Sequence, residues 1–80
     1  MKWRVIRNEK NESIKYELTN NIYIEREYAG NFKSDYYINH LIVDNEIILS
    51  TGIGSGYTLN DLKQKGESIY NSNKKEVNNG

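Results

Sequence analysis

The chain has no cysteine, no proline and one alanine. Without cysteine there is no disulfide and no thiolate metal site, and nothing marks an oxidising compartment. An excess of either charge is also missing, since 11 Lys and Arg stand against 11 Asp and Glu. Proteins that hold nucleic acid mainly through its phosphates carry a basic excess. This balance therefore counts against that class, although a local patch is compatible with it. No apolar run approaches the ~20 residues that cross a bilayer. The start, Met1-Lys2-Trp3-Arg4-Val5-Ile6-Arg7, has no apolar stretch after its charges. It reads as neither a signal peptide nor a membrane anchor. The expected compartment is the cytoplasm.

What is present suits one small domain. Eighty residues bury roughly 60–65% of the surface that the unfolded chain exposes. The expected stability is about 4–8 kcal/mol, a thin margin for an elaborate buried active site. Asn, Ile, Lys and Tyr dominate the composition. Their codons are rich in A and T, as in low-GC bacteria and their phages.

Period-two alternation predicts four to five short antiparallel strands in a β-meander. Trp3 and Val5, then Ile14, Tyr16 and Leu18, alternate with polar residues. A loop of Asn8 to Asn11 would pair Val5 with Ile14 and Trp3 with Tyr16. Around Asn20-Asn21, a three-residue loop with a left-handed Asn would pair Leu18 with Ile22 and Tyr16 with Ile24, keeping the apolar residues on one face. A longer connection over 29–34 contains Phe32. Asp44-Asn45 suits a tight two-residue hairpin turn between 35–43 and 46–51. That hairpin is apolar on both sides. One side carries Ile38, His40, Ile42, Ile47 and Leu49, and the other Tyr37, Leu41, Val43 and Ile48. One helix can cover only one side.

The expected helix begins after Gly52-Ile53-Gly54-Ser55-Gly56. Thr58 is its N-cap, with Asp61 completing a capping-box variant and Tyr57 stapling onto Leu62. Leu59, Leu62, Gly66, Ile69 and Tyr70 share one helical face. Gly66 costs roughly 1 kcal/mol against Ala in a helix, a cost that close packing on the sheet would offset. The helix is expected to end near Ser72. The expectation is thus an α+β domain over 1–72, an antiparallel sheet packed against one C-terminal helix, with a flexible polar tail over 73–80.

No constellation points to catalysis. The glycine-rich loop lacks the third glycine of the dinucleotide fingerprint and the Lys-Ser or Lys-Thr of a Walker loop. Asp61 would repel an anion at the helix start. His40 is the single histidine; it has no second His or Cys with which to hold a metal, and a general base needs a positioned nucleophile. Glu25 and Glu27 share a strand face, but a carboxylate pair needs a cleft to do acid–base work. No cofactor is expected, and no metal.

Contact is the leading expectation. Large contiguous apolar patches are rare on monomers, and tyrosine is enriched at interfaces. Tyr23, Tyr37, Leu41, Val43 and Ile48 are the candidate protein-interface residues. The partner would be another protein or a second copy of the chain in a homodimer. Small phage and mobile-element accessory proteins, among them anti-CRISPR inhibitors of bacterial defence, share this size and plainness. The likeness is one of style, and no motif carries it. Acidic mimicry of nucleic acid through Glu9, Glu12, Glu25, Glu27 and Glu46 fits poorly with zero net charge. The alternative is a sheet-surface binder of single-stranded nucleic acid, with Tyr23 and Tyr37 stacking bases and Lys2, Arg4, Lys15 and Lys33 holding the backbone.

Overall fold

The predicted alternation resolves into five strands and one helix in a computed structural model that describes residues 2–30, 36–52 and 56–79. The strands are β1 (Arg4–Arg7), β2 (Ser13–Thr19), β3 (Ile22–Tyr28), β4 (Tyr37–Val43) and β5 (Glu46–Ser50), followed by α1 (Leu59–Asn79). They form one antiparallel sheet in the order β1-β2-β3-β4-β5. This is the expected meander. The connection around Phe32 and the middle of the glycine-rich loop lie outside the described residues, as does Lys33.

β3 decides which face becomes the core. In its first half the even positions Ile22 and Ile24 are apolar, with Arg26 and Tyr28 following them on that side, while its odd positions Tyr23, Glu25 and Glu27 are amphipathic or charged. Carboxylates stay in water, so the isoleucine side turns inward. Pairing then carries that choice across the sheet, because directly opposed residues share a face. Ile22 faces Val43 and Ile24 faces Leu41. Ile22, Ile24, Leu41 and Val43 form the core with Leu62 of α1. Trp3, Tyr16, Leu18, Leu49, Leu59, Ile69 and Tyr70 pack around it.

The β3–β4 ladder is regular. The other three strand pairs each contain a register shift. Between β1 and β2, Val5 faces Tyr16 rather than Ile14, and Ile14 falls at the irregularity. It is 37% exposed and has no direct partner on β1, so the expectation that it joins the covered face is corrected. The loop is wider than Asn8 to Asn11 because Asn8 organises it: its side-chain Oδ1 accepts from the amides of Lys10 and Glu12. Asn11 takes a left-handed φ of 65°.

Between β2 and β3, Tyr16 faces Ile24 as expected, but Thr19 faces Ile22. The turn is therefore the two residues Asn20-Asn21, and the shift at Leu18 restores the apolar face. Neither asparagine has a positive φ. The Thr19 hydroxyl accepts from the amides of Asn21 and Ile22 and so holds the turn. At Asp44-Asn45 both residues have positive φ, 52° and 69°, as a type I′ hairpin turn requires. The two turns are joined: Asn21 Nδ2 donates to Asp44 Oδ1, and the Asp44 amide donates to the Asn21 carbonyl.

The shift between β4 and β5 has the largest consequence. Ile42 faces Ile47, whereas Leu41 faces Leu49 and His40 faces Ser50. Ile48 is the extra residue of this bulge. A bulge-free strand would have placed Leu49 opposite His40. The bulge instead turns Leu49 to the core and brings Ser50 beside His40.

α1 lies over β3 and β4 at the centre of the sheet. Thr58 and Asp61 form the expected reciprocal cap. The Thr58 amide donates to Asp61 Oδ2 at 2.9 Å, and the Asp61 amide donates to Thr58 Oγ1 at 3.2 Å. Tyr57 stays exposed while Leu62 is fully buried. Gly66 is the point of closest approach. A Cβ there would meet Trp3 Cη2 at 2.8 Å and Leu41 Cδ1 at 3.3 Å. The Trp3 indole fills the space a side chain at 66 would need, and its Nε1 donates to Glu67 Oε2 at 2.8 Å. The helix passes the expected end near Ser72 and includes most of the segment read as a tail. No Gly or Pro interrupts 67–79, so nothing local stops it.

Candidate functional site: the uncovered sheet face

The face opposite α1 has no element packed on it among the described residues. Its rows follow from the pairing. One row is Ile6, Lys15, Glu25, His40 and Ser50; the next is Arg4, Glu17, Tyr23, Ile42 and Ile47; Glu27 and Ile38 add a partial third.

This face has two halves. The β1–β2–β3 half is charged and internally paired. Arg4 and Lys15 both reach Glu17. Lys15 Nζ also sits 4.3 Å from the centre of the Tyr23 ring, a cation–π contact. The β4–β5 half is apolar. Ile38, Ile42 and Ile47 project there, and Ile47 is 60% exposed. Ile48 adds exposed apolar surface at the β5 edge.

The sequence-predicted interface residues do not come together. Leu41 is 0% and Val43 8% exposed, so both belong to the core, and the expectation that they line the free face is corrected. Tyr23 lies on the open face, half-buried beneath Lys15. Tyr37 lies on the helix side, exposed and outside the core cluster. It packs edge-on against Tyr28 at 5.4 Å, with the Arg26 guanidinium 4.1 Å from its ring centre. Ile48 is exposed, but at the bulge. The residues that take the place of Leu41 and Val43 are Ile38, Ile42 and Ile47. The signal for them was in β3: Glu25 and Glu27 marked the outer face, and carrying their parity across to β4 selects Ile38 and Ile42.

Tyr23 and Tyr37 therefore point to opposite sides of the sheet and do not make one stacking platform. The acidic positions are scattered too. Glu25 and Glu27 lie on the open face, Glu46 is paired with the core residue Val43, and Glu9 and Glu12 belong to the first loop. Among the described residues, no three His, Asp or Glu side chains gather as a metal-holding group. No helix among the described residues is long and apolar enough to cross a membrane.

One polar cluster interrupts the apolar half. His40 Nδ1 lies 2.6 Å from Ser50 Oγ, and its Nε2 lies 3.1 Å from Glu27 Oε1. The neighbour that His40 lacked in the linear sequence is supplied by the β5 bulge.

Comparison with known proteins gives no match: no family model fits the chain, and no curated protein or solved structure is significantly similar to it.

Proposed function

We propose that the chain is a non-enzymatic binding module that engages a protein partner through the sheet face left open by α1. The observation that carries this reading is the apolar half of that face, Ile38, Ile42 and Ile47, beside the half-buried Tyr23. An antiparallel sheet with one face in water is normally polar on that face. Three isoleucines there contribute nothing to the core and cost solubility unless something covers them. The charged half supplies a polar rim, the usual surround of an apolar contact centre. Its Arg4 and Lys15 stand against Glu17 and Glu25, two charges of each sign, so it adds little net field to steer a polyanion.

Single-stranded nucleic acid is the weaker reading. Lys15 and Tyr23 favour it, but Glu17, Glu25 and Glu27 share their face and would repel phosphate. A small contact domain of this kind fits an accessory protein that occupies the surface of a host enzyme, as small phage inhibitors of bacterial defence do.

The test is affinity capture from a lysate of the organism that encodes the chain, read by mass spectrometry, with wild type beside Ile47→Asp. A protein retained by wild type and lost by the variant supports the reading. Light scattering over a range of concentrations separates self-pairing from a different partner. A chain that retains no protein and stays monomeric at high concentration contradicts the reading.

A further inference from the structure

The cluster at His40 has a direction built into it. A carboxylate accepts hydrogen bonds and does not donate them. In the contact with Glu27, the proton therefore sits on His40 Nε2. A neutral imidazole then presents a lone pair at Nδ1. Ser50 Oγ, 2.6 Å away, donates its proton to that lone pair. With the imidazole neutral, the donors run from Ser50 to His40 to Glu27. That is the polarity in which a base activates a hydroxyl while a third group fixes the tautomer of the base. The backbone supports the arrangement, because His40 and Ser50 are direct cross-strand partners. Ser50 is half-buried on the open face, beside a Glu27 side chain that is 63% exposed, so the cluster meets solvent on that side.

We propose that Ser50 is a base-activated nucleophile, a site of covalent acylation by activated esters. Ser50 Oγ attacks the carbonyl carbon, and its proton passes to His40 Nδ1. The imidazolium that forms is held by Glu27. The tetrahedral intermediate then breaks its bond to the leaving oxygen, which takes the proton from His40. The products are an acyl ester on Ser50 and a free alcohol or phenol, with no change of oxidation state. The proposal covers this transfer alone. Turnover would also require a water for deacylation and donors for the oxyanion. The inference stands apart from the contact reading, since it uses the polar cluster and not the isoleucines.

The test treats the full chain with p-nitrophenyl acetate and follows acetylation by intact mass and peptide mapping. Ser68, exposed on α1, is the internal reference. General-base assistance is typically worth about 10²–10⁴-fold, so Ser50 should acetylate at least about 100-fold faster than Ser68. Ser50→Ala should remove that adduct and leave any lysine acetylation in place. His40→Gln should bring Ser50 down to the Ser68 rate, and Glu27→Gln should slow it less. Circular dichroism checks that each variant is folded. If His40→Gln does not fold, the pH profile of wild-type Ser50 labelling decides. A rise that levels off to a plateau supports the proposal. A rate proportional to hydroxide throughout overturns it, as does a Ser50 no more reactive than Ser68 or a folded His40→Gln that acetylates at the wild-type rate.

Discussion

Both faces of this sheet carry branched apolar residues and put them to different use. Under α1, Ile22, Ile24, Leu41 and Val43 are sealed by Leu62 and by the Trp3 ring laid against Gly66. On the other side, Ile38, Ile42 and Ile47 have no covering element among the described residues. Composition does not separate the two sets. Coverage does, and coverage follows the parity of β3, whose Glu25 and Glu27 hold one side of the sheet to water. A sheet whose β4 is apolar at both parities can thus have a fixed inside and an apolar outside.

That contrast can be broken by substitution, and the largest effect belongs to the covered face. Ile24→Ala removes a fully buried side chain and should cost about 2–5 kcal/mol. Urea denaturation would show the midpoint falling steeply. On a domain of this size the loss takes a large part of the total stability, and the chain should be partly unfolded without denaturant.

Gly66→Ala comes next. Alanine gains roughly 1 kcal/mol of helix propensity, but overpacking a tight contact costs about 1–3 kcal/mol. The rigid Trp3 ring lies 2.8 Å from the new Cβ, so the net result should be a loss of up to about 2 kcal/mol. The double variant Trp3→Ala/Gly66→Ala sharpens the point. If the ring is what Gly66 accommodates, adding Gly66→Ala to Trp3→Ala should cost less than it costs in the wild type. Equal costs in both backgrounds would remove Trp3 from the explanation.

Thr58→Ala takes away one half of the reciprocal cap and should lower stability by about 1 kcal/mol. Its effect reaches the covered face only through α1. The smallest effect belongs to the open face. Ile47→Ala should move the urea midpoint by less than about 0.5 kcal/mol in equivalent free energy. A larger shift would mean that Ile47 supports the fold, and the two faces would no longer differ as described.

The class of fold was legible in the sequence because its signals were local. The alternation, the Asp44-Asn45 turn, the Thr58–Asp61 cap and the odd glycine in the helix face each follow from neighbours a few residues apart. The face assignment was only partly legible. Leu41 and Val43 read as surplus because β4 is apolar at both parities, and the pairing to Ile24 and Ile22 is a tertiary fact. Ile48 misled for a different reason. The β5 bulge breaks the period of two, sending Leu49 inward and Ser50 outward, and no glycine or proline in 46–50 announces it. The same bulge hid the His40–Ser50 pair.

One measurement bears most directly on the division of labour between the faces. Val5 and Ile47 are both exposed apolar residues on edge strands, at 40% and 60%, and their partners Tyr16 and Ile42 place them on opposite sides of the sheet. Capture from the native lysate should be quantified for wild type, Val5→Asp and Ile47→Asp, each with its urea midpoint measured in parallel. The expected result is a protein retained equally by wild type and Val5→Asp and lost by an Ile47→Asp chain that remains folded. Equal retention by all three, or loss with Val5→Asp alone, would contradict the account.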